Sequence, residues 1–442
     1  MKVLKFGGTS VGSAERMKAA ADLINNHEEK IVVLSAMSGT TNALVEICSA
    51  LDKNKTDQAV EIINSLEEKY SEVINQLFSK KEFKEKGRKL ISDHFDFIRS
   101  FSKEDFSIAE DLSGKKILAQ GELISTELFH LYLTEQKTDA VLLPALNFMR
   151  IDTNSEPDNY YIKENLAREL QSYPDKKIFI TQGYICKNLY GEIDNLKRGG
   201  SDYTASLIGA AINSEEVQIW TDISGFHNND PRYVENTYPV SRLSFDEAAE
   251  LAYFGAKILH PSSVMPAKIA NIPVRLKNTM KPEDEGTLIT DKPTGDGIKA
   301  VAAKDGITAV KIKSGRMLLA YGFLTKVFQV FEHYETPIDM ITTSEVAVSV
   351  TIDDSSRLRK ITEELKKFGE VEVNKNMTIV CLVGHDIMKQ KGYIDKIFEA
   401  LNNFSIRMIS YGGSRHNISI LIPTEERKAV LQALHEKLFN KF

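Results

Sequence analysis

Two stretches of this sequence place a cation, a pair of glycines and a helix start side by side, which is equipment for holding an anion. The first is Lys5-Phe6-Gly7-Gly8-Thr9-Ser10. Gly7 and Gly8 let backbone N–H groups approach a phosphate, a helix start adds unpaired N–H groups and a positive dipole end, and Lys5 adds a point charge. A tight turn without a ligand fits the same residues. The stretch is not a P-loop, because Ser13 stands where the lysine after Gly7 to Gly12 belongs. The second stretch is Arg198-Gly199-Gly200-Ser201-Asp202. Arg198 carries a planar fork that suits a carboxylate, and Asp202 in a first helical turn can hold a lysine or help place a metal. Two such grips suit a reaction with two anionic partners.

The elements that must position these groups read as repeated strand, loop and helix. Val3 to Phe6 is a buried strand, and Ser13 caps a helix through Met17, Ala21 and Ile24. Lys30 to Ala36 is a second strand, followed by a small polar turn and a helix through Leu44, Ile47 and Leu51. The hydroxyls of Ser35 and Thr41 in that turn suit either a small polar ligand or ordinary turn chemistry. Further strands fall at 140–143, 177–182, 216–220 and 272–277. The pattern predicts an α/β sheet with its site at the strand C-terminal ends. Residues from about 55 to 113 read as two or three amphipathic helices, an all-helical insertion or lid-side element, followed by a helix over 115–134 in which Glu122 alone looks like a surface glutamate. Thr221-Asp222 sits at a strand end, where an acidic group can face Mg²⁺; Asp230-Pro231-Arg232 suits a turn at least as well. Ser244 and Glu247 form a capping-box pattern, Lys257 lies in apolar company, and His260 before proline reads as structural.

Composition narrows the class. The 442-residue chain carries a net charge of −6, so nucleic acid is an unexpected main partner. It opens directly on a strand and has no apolar run long enough to span a membrane, so a soluble cytoplasmic enzyme is expected. Cys48, Cys186 and Cys381 are scattered, and no Cys/His cluster has metal-ligand spacing. Lys281 to Gly297 reads as a linker. Beyond it a βαββα order occurs twice, with Pro337-Ile338-Asp339-Met340-Ile341 echoed by Ser405-Ile406-Arg407-Met408-Ile409. Paired small units without an acid/base pair suggest binding rather than chemistry.

The ordered set Lys5 to Val11, Arg198 to Asp202, Thr221-Asp222, Asp230 to Arg232 and Phe254 to Pro261 resembles the aspartate kinases along essentially the whole chain. The resemblance implies an α/β amino acid kinase fold, a mainly parallel sheet between helices, over 1–295. Two α+β ACT units of ferredoxin-like βαββαβ topology are implied over 296–442, the first at about 307–375. The second spans about 376–442 and takes a strand from about 298–304. It further implies transfer of the ATP γ-phosphoryl group, with Mg²⁺ and no tightly bound organic cofactor, to the side-chain carboxylate of L-aspartate. Lys5 and the Gly7 and Gly8 amides would steady the phosphoryl group, and Asp202 would position that lysine or the metal. Ser35, Thr41, Glu122, Arg198 and Ser201 would hold aspartate, Glu122 by its ammonium and Arg198 by a carboxylate. Thr221, Asp222, His227, Arg232 and Lys257 would bind the nucleotide, and no metal is expected to be held by the protein alone. Met317, Gly322, Phe323, Leu324, Ile338, Asp339, Ser344 and Glu345 match the effector pattern of lysine-inhibited members, which implies lysine as effector and a homodimer or tetramer through the ACT units. His227, Lys197, Cys186 and Asn228-Asn229 depart from the usual residues of the family in loops around nucleotide and substrate. The rival expectations are another amino acid kinase, acting on glutamate, acetylglutamate or UMP, and a catalytically silent amino-acid sensor.

Overall fold

A computed structural model describes residues 1–103, 112–196, 199–255, 258–292, 295, 297–315 and 321–439. Contacts divide the chain into two compact units, Met1–Gly225 with Leu259–Asp291, and Phe226–Ile258 with Lys292–Phe442. Residues 226–258 thus group with the C-terminal part by their contacts. Elements are numbered along the chain.

In the first unit β1 (Lys2–Phe6), α1 (Ala14–Ile24), β2 (Lys30–Leu34) and α2 (Thr40–Asp52) open the fold. Helices α3 (Thr56–Leu77), α4 (Lys81–Ser100) and α5 (Leu112–Glu135) follow, then β3 (Ala140–Leu142), α6 (Asn159–Gln171) and β4 (Ile178–Gln182). A short hairpin of β5 (Ile185–Lys187) and β6 (Ile193–Asn195) leads to α7 (Gly200–Ile212) and β7 (Val217–Thr221). The unit resumes with α9 (Met265–Ile269), β9 (Val274–Asn278) and β10 (Thr287–Thr290).

Its sheet strands run β3-β4-β2-β1-β7-β9-β10, parallel except for β10, which pairs antiparallel with β9. Fully buried apolar runs such as Ile31-Val32-Val33-Leu34 are what a parallel sheet covered by helices requires. The register sets Lys5 between Val33 of β2 and Ile219 of β7, so the turns after these three strands open at one end of the sheet. Ser13 caps α1 as the sequence predicts, accepting from the Arg16 N–H.

Two sequence expectations change here. The stretch read as a linker contains β10, because Thr-Leu-Ile-Thr alternates correctly for a strand although Pro, Gly and Asp surround it. The helical insertion is not peripheral. Ile63, Leu66, Tyr70 and Ile74 of α3 and Ile91, Phe95 and Ile98 of α4 lie in the same core as Phe6, Leu34 and Phe129.

The second unit begins with β8 (Arg242–Ser244) and α8 (Phe245–Tyr253), whose predicted capping box forms: Glu247 N–H donates to Ser244 Oγ, and Ser244 N–H donates to Glu247 Oε2. Then come β11 (Gly297–Lys313), α10 (Phe323–His333), β12 (Ile341–Thr343), β13 (Ala347–Ile352) and α11 (Leu358–Leu365). The chain continues with β14 (Glu370–His385), α12 (Tyr393–Ala400), β15 (Met408–Tyr411), β16 (Asn417–Pro423) and α13 (Arg427–Phe439). One antiparallel sheet has the order β12-β13-β11-β14-β16-β15. The repeat is therefore present, but its halves share two long strands. The strand expected at about 298–304 and the start of the first ACT unit at about 307 both lie within β11, which stays continuous across register shifts between Lys304 and Ala309. Each half buries its own cluster, Val310, Val327, Phe331 and Val350 in one and Val380, Ile397, Ile420 and Leu434 in the other. Among the described residues no helix is long and apolar enough to cross a membrane.

Candidate active site

One ion pair of the first unit joins the two glycine-rich stretches. Lys5, the fourth residue of β1, sets its Nζ 2.6 Å from Asp202 Oδ1 in the first turn of α7. The two side chains are only 11% and 16% exposed, so each charge is tied to the other. The ammonium lies beside the glycine turn: a Cβ on Gly7 would sit 3.4 Å from Nζ. The turn is used unequally. The Gly7 N–H, expected to face a phosphoryl group, donates to the Trp220 carbonyl at 3.2 Å and belongs to the sheet. Gly8 has no room for a side chain, because its Cβ would fall 2.9 Å from the Ala36 carbonyl oxygen, and the Gly8 carbonyl accepts from Ser38 N–H. That contact binds the β1–α1 turn to the β2–α2 turn.

Between these turns lies a cavity of about 510 Å³ whose lining includes Gly8, Ser35, Thr41, Glu122, Tyr184 and Ser201. Five of the residues predicted from sequence thus line one cavity. Ser35 Oγ donates to Ser201 Oγ at 2.9 Å, and the next residue along, Asp202, holds Lys5, so the cavity and the ion pair adjoin through α7.

Glu122 is the decisive side chain. It is buried on α5, and its Oε1 accepts the Ala36 N–H at 3.3 Å while Oε2 is buried without a partner. Burial pushes its carboxyl up to about 7, against the opposing pull of the Ala36 amide. A buried carboxylate with a vacant lone pair, on a residue lining a cavity, is suited to an ammonium group. Gly121 explains how the helix comes so close: a Cβ there would lie 2.9 Å from Ala36 Cβ.

Tyr184 lines the same cavity and was not singled out from the sequence. It takes a positive φ of 67° just after β4, and burial pushes its hydroxyl up to about 12, with Glu122 adding to the shift. The only signal for it is its place at a parallel strand end after Gln182-Gly183. Arg198, Lys257 and Met317 lie outside the described residues, as does Lys197.

A profile of the amino acid kinase family matches residues 1–278, and an ACT-domain profile matches 380–438. The lysine-sensitive aspartokinase 3 of Escherichia coli (strain K12) is 33% identical over 451 residues, covering 99% of this chain and 99% of the relative. The chain belongs to the aspartokinases of the amino acid kinase family. The crystal structure of E. coli aspartokinase III in complex with lysine and aspartate (T-state) shares 33% identity with it, with a TM-score of 0.83 and 100% coverage of both chains. The E. coli aspartokinase III structure in complex with aspartate and ADP (R-state) gives a TM-score of 0.81 at the same identity and coverage.

The other predicted residues of this aspartokinase fall as follows. In the first unit, Thr221 Oγ1 donates to the exposed Asp222 at 3.2 Å, at the end of β7. In the second unit, the His227 Nδ1 lies 3.1 Å from Thr237 Oγ1, and burial holds its ring below the usual histidine range. The Arg232 guanidinium folds back on Asp230, with Nη2–Oδ2 at 2.7 Å, and Asp230 also accepts the Arg232 N–H, a turn that holds itself together. Asn228 and Asn229 are buried and structural: the Asn228 carbonyl accepts from Val301 N–H, and Asn229 Nδ2 donates to the Leu431 carbonyl. In the first unit His260 accepts the Ser262 N–H on its Nδ1 and caps a short 3₁₀ turn, the structural role expected of it. Cys48, Cys186 and Cys381 are free and buried.

The expected effector residues sit around α10 and the β12–β13 hairpin. Gly322 starts α10 with a φ of 75°, and Phe323 is buried in the core that Leu324 and Ile338 also cover. Ser344 and Glu345 are exposed on the hairpin loop. Asp339 is 2% exposed, and its Oδ1 is occupied from within the chain: the Lys304 ammonium lies 2.9 Å away and the Tyr253 hydroxyl donates at 2.8 Å. Its Oδ2 is buried without a partner. Lys304 also meets Asp353 at 2.9 Å, and its Nζ stands 4.5 Å from the Tyr253 ring centroid. Burial opposes the Lys304 charge, but its hydrogen bonds to Asp339 and Asp353 hold the ammonium above the ordinary lysine range. The geometry is that of an ammonium site.

Proposed function

We propose that this chain transfers the γ-phosphoryl group of MgATP to the side-chain carboxylate of L-aspartate, giving 4-phospho-L-aspartate. This is the first committed chemistry toward lysine, threonine and methionine, and free lysine restrains it. The observation that carries the acceptor is Glu122, a buried carboxylate with one vacant oxygen on a wall that also bears Ser35, Thr41 and Ser201. An amino acid offers the ammonium that such a group needs. Arg198 is assigned to a carboxylate of the substrate.

In the transfer, a side-chain carboxylate oxygen of aspartate forms the new bond to the γ-phosphorus. The bond from that phosphorus to the bridging oxygen breaks, and ADP leaves with the electron pair. No covalent enzyme intermediate is needed, so the work is positioning and charge neutralisation. Lys5 supplies the fixed positive charge, Asp202 keeps its ammonium in place, and the Gly8 amide adds a donor. Gly7 serves by its lack of a side chain beside Nζ. Thr221 and Asp222 are assigned to MgATP, and His227, Arg232 and Lys257 are given to the nucleotide on the resemblance. The test is ADP release with MgATP and a panel of acceptors. Aspartate-dependent release is expected; release with glutamate or UMP and none with aspartate would reject the acceptor.

Lysine restraint rests on Asp339. Its free Oδ2 is suited to an effector ammonium, and Glu345 is the second carboxylate assigned to it. Inhibition requires lysine to bind the less active arrangement more tightly. Asp339→Asn is expected to raise the lysine concentration for half-inhibition by roughly 10–100-fold, the worth of one charge-assisted hydrogen bond. The uninhibited rate should persist, because Lys304 keeps its contact with Asp353. Unchanged inhibition in a lysine titration of this variant would move the effector elsewhere.

A further inference from the structure

We propose that Glu247, His385 and His416 form a binding site for one transition-metal dication of the zinc class. The three residues come from separate elements of the second unit. Glu247 is in the first turn of α8, His385 ends β14, and His416 immediately precedes β16, the antiparallel partner of β14. One ligand atom from each lies within 4.8 Å of the others.

Hydrogen bonding leaves this trio unfinished. Glu247 is fully buried. Its Oε2 accepts the Ser244 N–H at 2.6 Å and the Lys299 ammonium at 2.8 Å, whereas Oε1 is buried with no partner. His385 and His416 each carry a buried Nδ1 with no partner, and their ring centroids are 5.8 Å apart. Three unpaired donor atoms in one buried place are costly, and a shared cation removes all three deficits at once.

The chemistry of the donors selects the ion. Two imidazole nitrogens and one carboxylate oxygen suit zinc or cobalt, while Mg²⁺ and Ca²⁺ want oxygen ligands throughout. Bonds of about 2.0–2.1 Å put tetrahedral ligand atoms roughly 3.3 Å apart, so the side chains close inward by rotamer adjustment on binding. Lys299 already offsets the Glu247 charge, and Asp246 Oδ2 stands 4.0 Å from His416 Nε2. An N–H kept on that nitrogen and turned toward Asp246 leaves Nδ1 free for the metal. The ion ties the first turn of α8 to the ends of two strands.

The experiment uses the full chain, stripped with a chelator and dialysed. It is titrated with Zn²⁺ against a chromophoric competitor, and with Co²⁺ by visible absorption. One equivalent per chain is expected, with a cobalt band of low-symmetry coordination. His385→Gln and His416→Gln should each weaken Zn²⁺ at least about a hundredfold, since even groups that only orient a metal ligand are worth 10–100-fold. His27→Gln, at an exposed histidine, should change nothing. Zn²⁺ should also raise the thermal midpoint of the wild type and not of the double histidine variant. Absence of a bound equivalent in the wild type, or retention of it in the double variant, overturns the site.

Discussion

Lys5→Met is expected to lower aspartate-dependent turnover by about a thousandfold or more, with a much smaller change in the Michaelis constant for aspartate. A thousandfold loss corresponds to about 4 kcal/mol of transition-state stabilisation, within reach of one fixed charge at a transferring phosphoryl group. Lys5 is held in a fixed position. Its ammonium is anchored 2.6 Å from Asp202 and set beside a glycine, where a Cβ would touch it at 3.4 Å. Methionine keeps the length and apolar stem but removes the charge, leaving Asp202 without its partner. Thermal unfolding of the variant therefore accompanies the kinetics, and Asp202→Asn serves as the companion. That variant keeps the ammonium but loosens it, so a smaller loss in kcat is expected. Turnover within tenfold of wild type in a folded Lys5→Met protein would remove Lys5 from the chemistry.

Glu122→Gln is expected to act in opposite directions on binding and on stability. Burial holds the Glu122 carboxyl up to about 7, above its ordinary 4.5. Between those values the folded chain holds a proton that the unfolded chain has lost, so stability falls as pH rises across that range. The stabilisation from that proton is complete below the unfolded pKa and is lost as pH rises through about 7, leaving a burdened carboxylate that costs about 3 kcal/mol at pH 8. Glutamine keeps an oxygen for the Ala36 N–H and carries no charge. At pH 8 the ligand-free variant should therefore resist urea better than wild type, and at pH 5 the two should converge. Capture of an ammonium needs the ionised form. Wild-type kcat/KM for aspartate should thus fall toward tenfold per pH unit below about 7, and in Glu122→Gln it should be at least about a hundredfold lower with that limb absent. An unchanged kcat/KM would show that Glu122 does not receive the substrate.

Much of this site is readable from sequence, and the exceptions have physical reasons. The two glycine turns announce themselves because backbone approach to an anion leaves few other residues possible. Their meeting does not, since it depends on the strand order β2-β1-β7, which no local pattern encodes. Glu122 is illegible alone. Helix α5 buries the consecutive residues Ala119, Gln120, Gly121 and Glu122, so the glutamate is not set apart on the exposed stripe. Only the resemblance singled it out, and its neighbour Gly121 is the clue that helix and loop must touch. The strand β10 was hidden by turn formers on both sides, and β11 by the expectation that a repeat has separable halves. The sequence does not distinguish Gly7 from Gly8, yet the sheet takes the amide of Gly7. His385 and His416 carry no motif, because their spacing is set by strand pairing and not by a helix or a knuckle.

Whether the phosphoryl group is placed on a side-chain carboxylate is read from the product itself. An acyl phosphate is trapped by hydroxylamine as a hydroxamate, which chromatography and mass spectrometry distinguish by position. With MgATP, aspartate and hydroxylamine, the enzyme should yield aspartate β-hydroxamate in step with ADP. Free lysine should suppress both, and the Lys5→Met variant should yield neither above background. ADP release without hydroxamate, or hydroxamate on another acceptor and none on aspartate, would contradict the account.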